Sequence, residues 1–259
     1  MAQAPRPAPR SLQVLGTRQV TRNMLRVTLG GPALDDFPAE QDGGYVKLML
    51  PPLPGTEKPT VRTYTIRNQR EGAAGTELDV DFALHGVSEG EAGPATDWAM
   101  AAKAGDTIQV GGPGPAKPLP PGADHYLIAG DMTALPAISV NLERLARDAR
   151  GVAVIEIQHE DDRQAIDAPT GVELHWLVNP HPGATDRLLA GHLRSLEWPQ
   201  GRVYAWAACE FTSMRALRAY LREERGLGRD QLYISSYWKS GLSEDSHKVI
   251  KREDAEASA

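Results

Sequence analysis

The chain has 259 residues, and its 28 lysines and arginines against 34 aspartates and glutamates leave a formal net charge of −6. That balance disfavours general nucleic-acid binding, which needs a basic surface to displace counterions. A single cysteine, Cys209, excludes an intrachain disulfide framework and any four-thiolate zinc or iron–sulfur site built from this chain alone. No apolar run reaches the ~18 residues of a membrane span, and the opening MAQAPRPAPR lacks the apolar core of a secretory signal. The expected protein is therefore cytoplasmic. Twenty prolines and twenty-five glycines make much of it turns.

Residues 11–111 alternate polar and apolar side chains in short runs broken by turn residues. Leu25, Val27 and Leu29 share a face; so do Val46, Leu48 and Leu50, with Tyr45, Lys47 and Met49 opposite them. Val80, Phe82 and Leu84 likewise oppose Asp79, Asp81 and Ala83. Period two with frequent Gly and Pro breaks predicts antiparallel strands and a small barrel, interrupted by one helix near Pro94–Lys103. Pro113–Gly122 reads PGPAKPLPPG and predicts a linker. Beyond it strands and helices alternate: strand Tyr126–Ala129, helix Thr133–Ala149, strands Val152–Gln158 and Leu174–Val178. A helix capped by Thr185 then turns Leu189, Leu193 and Leu196 inward. Strand Arg202–Ala208, a helix capped by Thr212 or Ser213 and ending at Gly226, and strand Leu232–Trp238 complete the series. Such alternation predicts a parallel sheet with both faces covered. The charged residues after Gly241 predict a solvated tail. The fold class is thus all-β plus α/β, an antiparallel barrel followed by a parallel-sheet domain.

Two segments carry chemistry. In Arg62-Thr63-Tyr64-Thr65-Ile66-Arg67, a strand puts Arg62, Tyr64 and Ile66 on one face. A guanidinium beside an aromatic ring suits a phosphate and a flat ring system; it also suits an ordinary exposed strand. The second segment runs Asp81-Phe82-Ala83-Leu84-His85-Gly86 and then Gly93-Pro94-Ala95-Thr96-Asp97-Trp98. Proline just inside a helix start leaves free N–H groups that bind phosphate, or the segment is a plain loop-to-helix junction. No G-x-G-x-x-G follows Tyr126–Ala129. Arg215, Arg218 and Arg222 form one helical stripe that either grips a nucleotide phosphate or is a solvated face balanced by Glu223 and Glu224. Cys209 reads as a small buried residue. His159, His175, His181 and His192 show no ligand spacing, so no metal site is expected.

Taken in order, RTYTIR, the DFALHG…GPATDWA…AGDTIQVGGPG run, AGDMTALPAI and the late YWKSG resemble the siderophore-interacting protein family, from Leu12 to Gly241. These are flavin-dependent ferric-siderophore reductases, related in architecture to ferredoxin–NADP reductases. The resemblance implies an FAD-binding barrel over 11–118, an NAD(P)H-binding-like α/β domain over 123–241, and a charged tail over 242–259. It implies that Arg62, Thr63, Tyr64, Thr65 and Ile66 line the isoalloxazine and diphosphate. Asp81 and His85 then lie near the ribityl or adenosine portions, and Gly93, Ala95, Thr96 and Trp98 hold the phosphates, with Thr133 and Trp238 also against the flavin. Gly130, Asp131, Thr133, Glu210 and Arg215 are implied for NAD(P)H, and Lys47, Lys117 and Lys239 for an anionic ferric siderophore. Met132 and Cys209 depart from the family pattern, which commonly has an acidic residue and a glycine there. The implied activity passes electrons from NAD(P)H through FAD to chelated Fe(III), with no obligatory protein acid or base. Three alternatives share the motifs: a siderophore reductase fed by ferredoxin, a ferredoxin– or flavodoxin–NADP reductase, and a siderophore-binding flavoprotein without turnover.

Overall fold

In a computed structural model, which describes residues 8–86 and 92–257, the period-two alternation of the first half becomes six strands. They are β1 (Arg10–Thr21), β2 (Met24–Gly30), β3 (Tyr45–Leu50), β4 (Thr60–Gly72), β5 (Gly75–Ala83) and β6 (Thr107–Gly114), closed into a barrel in the order β1-β2-β5-β4-β3-β6. Closure leaves no free edge. The inward set is the apolar one: Val46, Leu48 and Leu50 of β3 are buried together with Ile66, Val80, Phe82, Leu12 and Val110. The outer wall holds ion pairs across neighbouring strands. Arg26 grips both oxygens of Asp81 at 2.6 and 2.8 Å, and Asp79 accepts from Thr28 Oγ1 at 2.7 Å and pairs with Arg70. Helix α1 (Pro94–Ala101) packs Ala95, Ala99 and Trp98 against the barrel core.

The chain divides into two units at Lys117 and Pro118. The predicted linker begins earlier, at Pro113, but β6 runs on to Gly114, which pairs with Tyr45. Gly114 is required there, because a Cβ would fall 2.0 Å from the Tyr45 ring.

The second unit is built from β7 (His125–Gly130), α2 (Leu135–Glu143), β8 (Arg150–Ile157), β9 (Gly171–Val178), α3 (Leu188–Ser195), β10 (Val203–Glu210), α4 (Phe211–Arg218), β11 (Leu232–Trp238) and α5 (Glu244–Ala257). The five strands are parallel in the order β11-β10-β7-β8-β9. The order steps outward from β7 to β9 and then returns to β10 on the other side. The reversal lies between β7 and β10, and ligands of open α/β sheets bind outside the carboxyl ends of the strands at such a point. No helix among the described residues is long and apolar enough to cross a membrane.

Four expectations are corrected. Helix α2 stops at Glu143, not Ala149, because Ala146, Arg147 and Asp148 have nothing to bury and lie exposed. Thr185 does not cap α3; the cap residue is Arg187, and Thr185 Oγ1 accepts from Arg187 N ahead of the helix. The α4 cap is neither Thr212 nor Ser213 but Glu210, whose carboxylate accepts from both their N–H groups; α4 then continues as a π-helical turn over Ala219–Glu224. The segment read as a solvated tail is helix α5. His247, Lys251 and Asp254 line one helical face at i, i+4 and i+7. His247 Nε2 meets Ser236 Oγ at 2.8 Å, Lys251 Nζ donates to Ser235 Oγ and Ser236 O at 2.7 Å, and Asp254 takes the Arg218 guanidinium on both oxygens. The docking face is polar, so a search for apolar periodicity passes over it.

Phe82 sits at the centre of the barrel, between Tyr64 and Trp98. Phe82→Ala should lower the unfolding free energy by about 3–5 kcal/mol, since it opens a cavity that the closed barrel cannot fill. Denaturant titration followed by emission in a variant that keeps Trp98 alone of the five tryptophans measures this; a loss below about 1 kcal/mol would show that the core does not rest on this ring.

Candidate functional site

The barrel unit brings the two chemistry-bearing segments together. Strand β4 pairs with β3 so that Leu48 faces Arg62, Lys47 faces Thr63, Val46 faces Tyr64 and Tyr45 faces Thr65. Tyr64 stacks on Phe82 with ring centroids 4.3 Å apart, and Phe82 on Trp98 at 5.8 Å. One aromatic row therefore joins RTYTIR to GPATDW. His85 reaches the same turn: a Cβ added at Gly93 would lie 3.6 Å from its ring.

Two groups in this half have the chemistry to meet an anion. Helix α1 begins with Gly93 in extended conformation and Pro94 in the first turn, and no side chain among the described residues caps it. Its first N–H groups, with the positive end of the helix dipole, are the kind of donors a phosphate takes. Arg62 donates to Val61 O at 2.9 Å and has no carboxylate partner among the described residues, in contrast to Arg26 and Arg70. These features fit a flavin dinucleotide: a cation and a helix N-terminus for the diphosphate, an aromatic row for the ring.

Two predicted residues have other work. Asp81 is committed to Arg26 within the barrel wall, so its carboxylate is not presented to a ribityl or adenosine group. Ile66 lies in the barrel core, and its backbone N and O pair with Gly44 and Gly43 at 2.8 Å. Thr63 is exposed, Thr65 is buried, and Ala95 and Thr96 are buried at the start of α1. Lys47 lies on the outer strand face and Lys117 is exposed.

The second unit gathers three buried carboxylates, Asp131, Glu156 and Glu210, at or near the carboxyl ends of its central strands. Asp131 Oδ1 accepts from Thr133 N at 2.9 Å and Thr133 Oγ1 at 2.5 Å; Oδ2 accepts from Glu210 N and Trp238 Nε1, both at 2.8 Å. Glu210 Oε2 accepts from Thr212 N, Thr212 Oγ1 and Ser213 N, and Oε1 from Ser240 N at 3.2 Å. Glu156 Oε1 accepts from Asn179 Nδ2 at 2.8 Å. Burial raises Asp131 above the usual carboxylate range despite its four donors. Burial also pushes Glu156 up to about 7, with Asp131 and Glu210 adding to the effect. The same three anions, after burial, hold the Cys209 thiol well above its ordinary value, as an unreactive thiol requires.

Gly130 accounts for the close approach of β7 to β10, because a Cβ there would sit 2.5 Å from Ala208 O. Lys239 Nζ lies 4.7 Å from the centroid of Phe211. Arg215 and Arg218, read as a stripe for a nucleotide phosphate or a solvated face, both turn to Asp254 of α5. Glu156 was not among the predicted residues. Its signal was present, a carboxylate inside the apolar run of a central strand, where burial without a positive partner displaces titration.

The Siderophore-interacting protein family matches residues 123–241, and the Siderophore-interacting FAD-binding domain matches residues 13–58 and 52–117. The ferric vibriobactin reductase ViuB of Vibrio cholerae is 36% identical over 257 residues, covering 92% of each chain. The crystal structure of the siderophore-interacting protein SipS from Aeromonas hydrophila is 35% identical, with a TM-score of 0.83 over 96% of this chain and 98% of that one. Ferredoxin–NADP+ reductase from Plasmodium falciparum shares the fold alone, at 11% identity and a TM-score of 0.66 over 88% and 96% of the two chains.

Glu156 gives the second unit a signed pH dependence. Its carboxyl holds a proton up to about 7 in the fold but only to 4.5 when unperturbed. The native state therefore binds more protons across that window, and its stability is full below the window and falls as pH rises through it. Glu156→Gln should flatten the decline in Tm between about pH 5 and about pH 8, removing roughly 2–3 kcal/mol of pH-dependent stability. Equal declines in both proteins would show that the group titrates normally.

Proposed function

We propose that this chain, which belongs to the siderophore-interacting protein family, is an FAD-dependent reductase of ferric siderophores drawing electrons from NAD(P)H. The observation that carries this reading is the combination, among the described residues, of an α1 N-terminus whose cap residue Gly93 makes no side-chain cap and an Arg62 without a carboxylate partner, beside the row Tyr64, Phe82 and Trp98. FAD, when bound, supplies hydride acceptance from a two-electron donor and one-electron delivery to a metal.

The chain's own residues bind and steer. Arg62 offers a planar, permanently charged fork to the diphosphate, and the first N–H groups of α1 complete its cradle. Tyr64 and Trp98 supply aromatic surface. Lys47 and Lys117 on the first unit, and Lys239 on the second, supply positive charge against a chain of net charge −6, which attracts an anionic ferric chelate. Hard oxygen chelators hold Fe(III) far more tightly than Fe(II). Reduction therefore frees the iron with no ligand from the protein. The carboxyl ends of β7 and β10, bearing Gly130, Asp131, Thr133 and Glu210, are the proposed approach for the nicotinamide.

A ferredoxin donor is a second reading, and one observation favours it. The α4 N-terminus at the strand reversal, a natural dinucleotide-phosphate site, is filled by the protein's own Glu210 carboxylate, with Asp131 and Glu156 buried beside it. A pyrophosphate there meets negative charge.

Arg62→Ala should purify depleted of flavin, because losing a bidentate charge-assisted contact costs ~2–3 kcal/mol, or roughly 30- to 150-fold in affinity. Full occupancy in that variant rejects the cradle. Anaerobic bleaching of the yellow protein by NADH or NADPH, followed by reoxidation with a ferric siderophore, tests the reaction. Bleaching by reduced ferredoxin alone selects the second reading; bleaching by NAD(P)H with no reoxidation by the chelate selects a ferredoxin– or flavodoxin–NADP reductase, and neither bleaching nor reoxidation leaves a binding protein. In the same assay Lys239→Glu should lower kcat/KM for an anionic chelate by ~10-fold, about 1.4 kcal/mol, and leave flavin reduction nearly unchanged. An unaltered rate removes Lys239 from the substrate site.

A further inference from the structure

We propose that His175 and His192 form a two-imidazole site for a borderline divalent cation, Zn2+ or Cu2+, on the second unit. His175 stands on β9 and His192 on α3, and the fold brings His175 Nδ1 to 2.7 Å from His192 Nε2 with the rings edge to face at 81°. On the far side of its ring, His175 Nε2 meets Glu173 Oε2 at 3.1 Å. Glu173 is two residues away on the same strand face, which is why it reaches the same ring.

For a neutral His175 these contacts match one tautomer. An ionised carboxylate only accepts, so His175 Nε2 carries hydrogen and its Nδ1 lone pair points at His192. A carboxylate behind a ligating imidazole is the usual support of a metal-bound histidine, fixing its orientation and raising its basicity. Binding then asks little of the protein. His192 moves its proton from Nε2 to Nδ1, and the two facing nitrogens part from 2.7 Å to the ~3.4 Å set by two ~2.1 Å bonds at a tetrahedral angle. The charge of the ring pair does not change, so no proton has to be expelled into a closed space.

The pair adjoins a groove of about 360 Å3 at the amino ends of β7, β8 and β9, lined by His175, Glu173, His125, Arg150 and Trp198. That is the opposite edge of the sheet from Asp131. Among the described residues no three His, Cys, Asp or Glu side chains are arranged around one ion, so the protein supplies two ligands and water the rest. Imidazole ligands suit Zn2+ and Cu2+, and the affinity order places both above Fe2+. The iron released by the proposed reduction would not displace them, and the site stands whether or not that reaction occurs.

The test is titration of the flavin-loaded protein, first stripped with chelator, with ZnCl2 by calorimetry and with CuCl2 by electron paramagnetic resonance. One equivalent should bind with micromolar affinity, and the copper spectrum should show two nitrogen donors. His192→Ala, on a partly exposed helix position, should weaken binding by more than the ~10–100-fold that loss of an outer-shell partner costs, and leave one nitrogen donor. Glu173→Gln should weaken it ~10–100-fold with both donors retained. His181→Ala should change nothing. No saturable binding, or binding unaltered in both His192→Ala and His175→Asn, reduces the pair to a hydrogen bond and overturns the site.

Discussion

The Asp131 carboxylate is the contact on which the second unit is organised. It stands just past β7, the central strand, and takes its four hydrogen bonds from the turn after β7, from the end of β10 and from the end of β11. Three elements are therefore registered at their carboxyl ends by one buried anion. A buried carboxylate without a basic partner is costly, and four well-placed donors are what make it tolerable. The arrangement also holds the Trp238 indole in one orientation, because its only N–H is engaged.

The two units treat negative charge in opposite ways. In the barrel, the anions Asp79 and Asp81 are neutralised by Arg26 and Arg70 along the wall, while Arg62 meets no carboxylate among the described residues. In the α/β unit, the helix terminus that would receive an external anion is filled from within by Glu210, and burial, with Asp131 and Glu210 adding to it, holds the Glu156 proton up to about 7. The polarity suits a barrel that binds a dinucleotide cofactor firmly. It suits less well an α/β unit that binds another through phosphate contacts at the same kind of terminus. The departures Met132 and Cys209 fall at this acidic edge, and both are buried.

Much of the architecture was legible because period-two and period-3.6 patterns of apolar residues act over a few neighbours. Strands β3 and β11 have the bounds their patterns predict, Tyr45–Leu50 and Leu232–Trp238. The pattern fails where a docking face is polar. Helix α5 packs one apolar residue, Ile250, against the core and is otherwise held by His247, Lys251 and Asp254, which in sequence look like solvated charge. Caps fail for a related reason: Thr212 and Ser213 are good cap residues by type, yet Glu210 reaches the same N–H groups from the strand end with a stronger acceptor.

The sequence by itself determined the two textures, the segments RTYTIR and GPATDW, and the residues able to meet a phosphate. Those follow from residue type and local spacing. Only the tertiary structure decided which of these groups remain available, because a side chain's partners come from elsewhere in the chain. Asp131 and Trp238 are 107 residues apart, Asp131 and Glu210 79. Asp81 is engaged by Arg26 at a separation of 55 residues, and Arg62 is met by no carboxylate among the described residues. His175 and His192 share no ligand spacing in sequence and yet face each other at hydrogen-bond distance, because a strand and the helix after it fold back to back.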